Sequence, residues 1–287
     1  MSELALGILC AVGASAMYSL GVVLQALEAR QTPPEMSMRP ELVVSLLSRK
    51  LWLTGIALSA LGWPLQLIAL LLAPLVVVQP ALAGGLLVLL IAAERILGER
   101  PGAYEYGSVA LIVVGVIGAG LCAPSRSDAH SGNLTLTIVL LCLGVASLAP
   151  YLLSAFGRHH PMVMMVGAGL AFAWSGVTTK LASDDIARGH WGPAVAWAVA
   201  AGAAALVGVL SETSALQARP AIQVAPVVFV VQTVVPVVLA PLLLGEHFSD
   251  TPAGGVPLSF ALLLLIAGAT MLSRSPMLAQ LTEVAET

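Results

Sequence analysis

Apolar runs of about 20 residues recur along this chain from end to end, separated by short polar breaks. As an α-helix rising 1.5 Å per residue, such a run crosses the roughly 30 Å hydrocarbon core of a bilayer. Inside lipid every backbone polar group must be satisfied internally, so only helices and closed barrels can span. A barrel shows segments of about 10 residues with alternating hydrophobicity; none occurs here. Only 9% of the 287 residues are charged and 59% are hydrophobic, whereas a soluble domain averages about 25% charged. No loop is long enough to bury a core of its own. The expected class is all-α and polytopic, a single integral membrane domain over 1–287 with the lipid bilayer as its first partner.

Nine spans are predicted: Leu4–Leu27, Leu51–Leu72, Leu75–Leu97, Tyr104–Ala123, Leu134–Phe156, Met162–Ala182, Pro193–Leu216, Ala221–Leu244 and Val256–Leu272. The breaks hold Pro33-Pro34, Pro74, Gly98 with Pro101, Pro124, Pro161, Gly192-Pro193, Pro220 and Pro252. Glu28–Lys50 is polar and then mildly apolar from Pro40 to Leu47. It reads as an interfacial helix, with a short tilted tenth span as the alternative. Cys10, Cys122 and Cys142 lie singly without metal spacing and read as small packing residues. The first segment carries Glu3 and no basic residue, unlike a cleaved signal peptide, so the first helix is expected to stay.

Positive charge favours the cytoplasmic side. With the N-terminus outside, nine basic residues fall inside: Arg30, Arg39, Arg49, Lys50, Arg95, Arg100, Arg158, Arg219 and Arg274. Three fall outside: Arg126, Lys180 and Arg188. The expected topology is therefore N-out and C-in, in the cell inner (plasma) membrane, with residues 275–287 as a short cytoplasmic tail.

Two stretches of the chain repeat. Gln66, Ala69-Leu70, Pro74, Pro80 and Gly98-Glu99-Arg100 parallel Glu212, Ala215-Leu216, Pro220, Pro226 and Gly245-Glu246-His247. The offset is 146 residues through both prolines and 147 at the Gly-Glu pair. Upstream, Tyr18-Ser19 and Gly21-Val22 parallel Trp174-Ser175 and Gly176-Val177, and Gln25 falls on Lys180; from the glycines to Gln25 the offset is 155. The longer Glu28–Lys50 loop accounts for the difference. Residues 4–123 and 162–273 then form two copies, with 134–156 as a spacer helix. An odd number of crossings inverts the second copy. Inverted repeats offer two packings of similar energy, one open to each side, which is how secondary transporters alternate access.

These residues resemble the drug/metabolite transporter superfamily, and within it the NIPA-type magnesium transporters. Leu72-Ala73-Pro74-Leu75-Val76-Val77-Val78-Gln79-Pro80 is similar to the family's Phe-Ala-Pro-Ala-x-Leu-Val-Thr-Pro run. Gly98-Glu99-Arg100 resembles its acidic helix end, Cys122-Ala123-Pro124 its Ala-Pro after helix 4, and Gly157-Arg158-His159 its Pro-Arg-His after helix 5. The resemblance covers nearly the whole chain. It implies an EamA-related fold and a solute or divalent-cation substrate. The family's second-helix Gly-Glu-x-x-Asn stands here as Gly62-Trp63-Pro64-Leu65-Gln66, and the Asn of its later Leu-Asn-x-Ala-Leu falls on Thr213. A divalent cation needs oxygen ligands and usually carboxylate charge, and this chain keeps few acids at membrane depth.

Glu212 is the main candidate site residue, because an ionisable group inside an apolar helix is costly and by default functional. It could ligate a cation or carry a coupling proton; packing, or pairing with Arg219, is the bland reading. Gln66 is its repeat mate. Gln25, Gln79, Gln223 and Gln232 could coordinate substrate or merely bridge helices, as could Gln217. Tyr18 and Trp174 could line a cavity or pack. Pro80 and Pro226 remove backbone hydrogen bonds at equivalent places and suit a hinge. Glu94 and Arg95, with Glu99-Arg100, could form local ion pairs and anchors or an inner gate. Lys180 could snorkel to the outer interface.

A secondary transporter is the leading class, moving Mg2+ or another divalent cation, or else a small organic metabolite or lipid-linked molecule. There is no nucleotide-binding loop, and neither a cofactor nor a nucleic-acid partner is expected. A membrane enzyme would need clustered polar groups; the one His pair, His159-His160, is adjacent and does not share a helix face. A non-transporting scaffold is the third class. A homodimer is compatible with a protein of this size.

Overall fold

The computed structural model describes residues 3–72, 78, 81–122, 133–156, 160–244 and 252–275. Among them the chain is all-helical, with no strand. The helices are α1 (Glu3–Ala29), α2 (Pro40–Leu46), α3 (Lys50–Leu72), α4 (Gly85–Ala92), α5 (Ala103–Leu121), α6 (Asn133–Ser147), α7 (Ala149–Ala155), α8 (Pro161–Ala187), α9 (Trp191–Ala218), α10 (Ala221–Leu244) and α11 (Val256–Ser273). Seven helices among the described residues are long and apolar enough to cross a membrane: α1, α3, α5, α6 with α7, α8, α9 and α11. Ala221–Pro236 of α10 is a shorter apolar stretch. The first part of the predicted span Leu75–Leu97 lies largely outside the described residues.

Local chemistry sets the boundaries. Arg219 precedes Pro220 and is extended (φ -140, ψ 152), so α9 stops there and α10 starts afresh. Pro150 has no N–H to give, and the predicted span Leu134–Phe156 breaks at Leu148 into α6 and α7. Residues 30–49 hold the seven-residue α2. At 1.5 Å per residue α2 is about 10 Å long, far too short to cross, which removes the tenth-span alternative. Leu42 and Leu46 of α2 instead pack with Trp52 of α3 and with Val209 and Leu210 of α9.

The packing is inside-out relative to a soluble bundle. Leu141, Val145, Val199, Leu206, Phe260 and Leu263 are each more than half exposed, while alanines such as Ala14, Ala168 and Ala204 are fully buried. Small residues let the helix backbones approach, and large apolar ones face outward.

Helix α1 packs mainly on α3, α8 on α9, and α5 on α11. The last pair crosses at two glycines. A Cβ on Gly115 would lie 2.8 Å from the Ala261 carbonyl oxygen and 2.9 Å from Leu265; one on Gly268 would lie 2.7 Å from the Ser108 carbonyl oxygen and from Ile112. Numbers rise on one helix as they fall on the other, so the two run antiparallel. The crossing is also reciprocal: Ser108, Ile112 and Gly115 each lie 153 residues before Ala261, Leu265 and Gly268.

Candidate functional site

Polar groups converge where α1, α4 and α9 end and α5 and α10 begin. Helix α4 runs into a π-helical turn, Ala93–Leu97, closed by Gly98 in the left-handed region (φ 69). That conformation suits a residue without Cβ. It lets the N–H of Glu99 bond back to the Ala93 carbonyl at 3.2 Å, and Glu99 turns inward, fully buried. Its carboxylate accepts the N–H of Ala221 at 2.8 Å and of Ile222 at 3.1 Å, the first free donors of α10. It also forms an ion pair with Arg30 at the end of α1. A carboxylate at a helix N-terminus satisfies orphan donors and complements the helix dipole, so Glu99 ties three segments together.

Neighbouring contacts extend this polar layer. Glu105 accepts the Gly102 N–H at 2.7 Å, starting α5, and accepts a hydrogen bond from the Ser275 hydroxyl. The amide of Gln223, fully buried, donates to the Ser275 carbonyl at 3.2 Å. Gln217 donates to Thr32 Oγ1 at 2.7 Å and Ser214 Oγ accepts the Met38 N–H at 3.0 Å, holding the 30–49 segment on α9. Arg49 pairs with the mostly buried Glu28 at 3.0 Å. Arg30, Arg49, Lys50, Arg219 and Arg274 therefore share one end of the bundle.

Glu212 stands apart from these pairs. It is buried on α9 among Ser211, Thr213 and Ser214, and no hydrogen bond or ion pair joins it to any described residue. Pairing with Arg219, the bland alternative, does not occur. Thr213 Oγ1 and the Oε1 atoms of Gln25, Gln217 and Gln223 are also buried without a hydrogen-bond partner among the described residues. Trp52 Nε1 is likewise buried without a partner among the described residues. Buried polar groups are normally satisfied, so the buried carboxylate of Glu212 with Thr213 beside it in the chain is the polar feature that stands out inside the bundle.

The other candidates fall in separate places. Tyr18 and Gln66 meet directly, the phenol donating to Gln66 Oε1 at 2.9 Å between α1 and α3. Gln25 reaches toward Ser59 Oγ at 3.5 Å on the same interface. Trp174 packs with Val139 and Leu143 of α6, the spacer segment. Gln232 is half-buried on α10, and Pro226 is buried inside it. Glu94 and Arg95 are exposed and pair with no described residue. Gln79, Pro80 and Gly245-Glu246-His247 lie outside the described residues, as do Pro74, Pro124, Gly157-Arg158-His159 and the tail beyond Ser275.

Sequence reasoning missed the roles of Glu99 and Glu105. Glu99 pairs with Arg30, 69 residues away, and not with a local arginine. The usable signal was the combination of Gly98, a helix-ending glycine, with Pro220, which fixes where α10 must begin.

The fold is that of a helical bundle whose long apolar helices could cross a membrane, with one polar end and, at Glu212, a buried acid that pairs with no described residue. No family model and no solved structure matches the chain. It is similar to an uncharacterized protein of Corynebacterium glutamicum, 27% identical over 276 residues, which covers 94% of this chain and 95% of that protein.

Proposed function

We propose that the protein is a secondary transporter of the drug/metabolite type, nine-spanning, with 4–123 and 162–273 as inverted copies that rock about a central site. The reading is carried by the reciprocal antiparallel crossing of α5 and α11. Two equivalent helices meeting across a two-fold axis in the membrane plane would make this pattern. The equivalent pairings of α1 with α3 and α8 with α9 support it. The basic residues gathered at one end support N-out, C-in insertion in the cell inner membrane.

Glu212 is then the coupling group. Magnesium keeps octahedral geometry and is usually bound through one or two carboxylates together with waters or other oxygens. No three His, Cys, Asp or Glu side chains gather among the described residues. A single buried carboxylate fits proton exchange for a small organic or lipid-linked solute better. The NIPA-type resemblance supports Mg2+ as the second reading.

The test is flux into proteoliposomes under an imposed pH gradient, with an internal magnesium dye in one set and a metabolite panel in the other. Saturable, gradient-driven uptake of an organic solute, lost in Glu212→Gln, supports the first reading. Saturable magnesium uptake lost in the same variant supports the second. Folded protein that moves neither overturns transport.

A further inference from the structure

An open groove of about 290 Å3 runs along the outside of the bundle between α1 and α4. Its walls are Leu20 of α1, Val88, Ile91 and Ala92 of α4, and Arg95 and Ile96 of the π-helical turn. Val88, Ile91, Ala92 and Arg95 follow helical spacing, so they form one continuous strip. From Val88 to Arg95 the strip is about 10 Å long at helical rise.

Arg95 is the one charged lining residue. It is exposed and forms no ion pair with a described residue, whereas Arg30 at the same end is neutralised by Glu99. Glu94 beside it does not line the groove; consecutive helical residues do not face each other. The groove is thus apolar throughout: Arg95 lines it with its hydrocarbon stem, and its exposed guanidinium belongs to the end where the bundle's other basic residues sit.

We propose that this groove binds an anionic phospholipid, its phosphate on the Arg95 guanidinium and one acyl chain along Leu20, Val88 and Ile91. A planar guanidinium matches a phosphate with two parallel hydrogen bonds. Basic pockets between membrane helices select anionic headgroups in this way. The chain needs only the apolar strip, which starts at the headgroup level and descends into the hydrocarbon. This inference requires membrane insertion but not transport.

The experiment is native mass spectrometry of the full-length protein in detergent with equimolar phosphatidylglycerol and phosphatidylcholine of identical acyl chains. The expected result is phosphatidylglycerol retained over phosphatidylcholine by about fivefold, the ratio one basic residue near an anionic headgroup confers. Arg95→Gln should bring the ratio close to one, and Arg100→Gln, an exposed arginine at the same end that does not line the groove, should leave it unchanged. Ile91→Trp, which fills the groove, should reduce retention of both lipids. An unchanged preference in Arg95→Gln overturns the proposal. So does full displacement of the lipid by excess inorganic phosphate, which would make this a free-anion site.

Discussion

Arg30 and Glu99 form an ion pair across 69 residues of chain, and the Glu99 half of it is fully buried while Arg30 keeps partial access to solvent. The same carboxylate caps α10 through Ala221 and Ile222. Replacing Glu99 by Ala leaves the partly exposed Arg30 guanidinium and two buried helix donors without their acceptor. Breaking one side of a buried pair costs about 3–5 kcal/mol. Because Arg30 can turn to water, a loss near about 3 kcal/mol is expected. Thermal unfolding in detergent checks it, with Glu99→Gln intermediate between Ala and wild type.

Glu212 is buried too, yet the opposite is expected of it. It has no partner to lose among the described residues, and burying an unpaired charge is unfavourable. Glu212→Gln should therefore melt at or above the wild-type temperature while losing solute uptake. A clear drop in stability would mean that Glu212 is structural.

The α5–α11 crossing predicts a matched pair of effects. Gly115→Ala and Gly268→Ala each drive a Cβ to within 3 Å of the facing backbone, and overpacking of this kind costs about 1–3 kcal/mol. The two should cost similar amounts, and the double variant should fall short of their sum, because one separation of the helices relieves both clashes. Gly202→Ala on α9, where nothing lies within 4 Å of the new Cβ, should be neutral or slightly stabilising, since Ala favours helix over Gly. Guanidinium-free thermal melts of all four variants read this out.

The Tyr18–Gln66 hydrogen bond at 2.9 Å joins α1 to α3. Tyr18→Phe leaves Gln66 Oε1 without its donor and should cost about 1 kcal/mol. A double-mutant cycle with Gln66→Leu should return a coupling of about 0.5–1 kcal/mol; additive effects would show that the bond contributes nothing to stability.

Helix positions were legible from hydrophobic run length and breakers: α10 begins at Ala221 and α11 at Val256 as predicted, because Pro220 and the Pro252–Gly255 turn force them. Periodicity could not reveal which side of a helix faces lipid, since these helices are apolar all round. Of the two readings open for Trp174, lining a cavity or packing, the structure shows packing on α6. Glu99 looked like a surface anchor because its neighbours Glu94, Arg95 and Arg100 are charged, and only the left-handed turn at Gly98 directs it inward. Glu212 was legible as a candidate because an acid in an apolar run stands out in any reading. That it pairs with no described residue depends on long-range packing and could not be read from the chain.

The most direct test of alternating access asks whether position 212 can be reached from both faces. Glu212→Cys, with Cys10, Cys122 and Cys142 changed to Ser, would be reacted with a membrane-impermeant thiol reagent in right-side-out and inverted vesicles. Two packings of similar energy predict labelling from either face, in separate experiments, to completion. Labelling from one face alone, or none until the protein is denatured, would contradict the account.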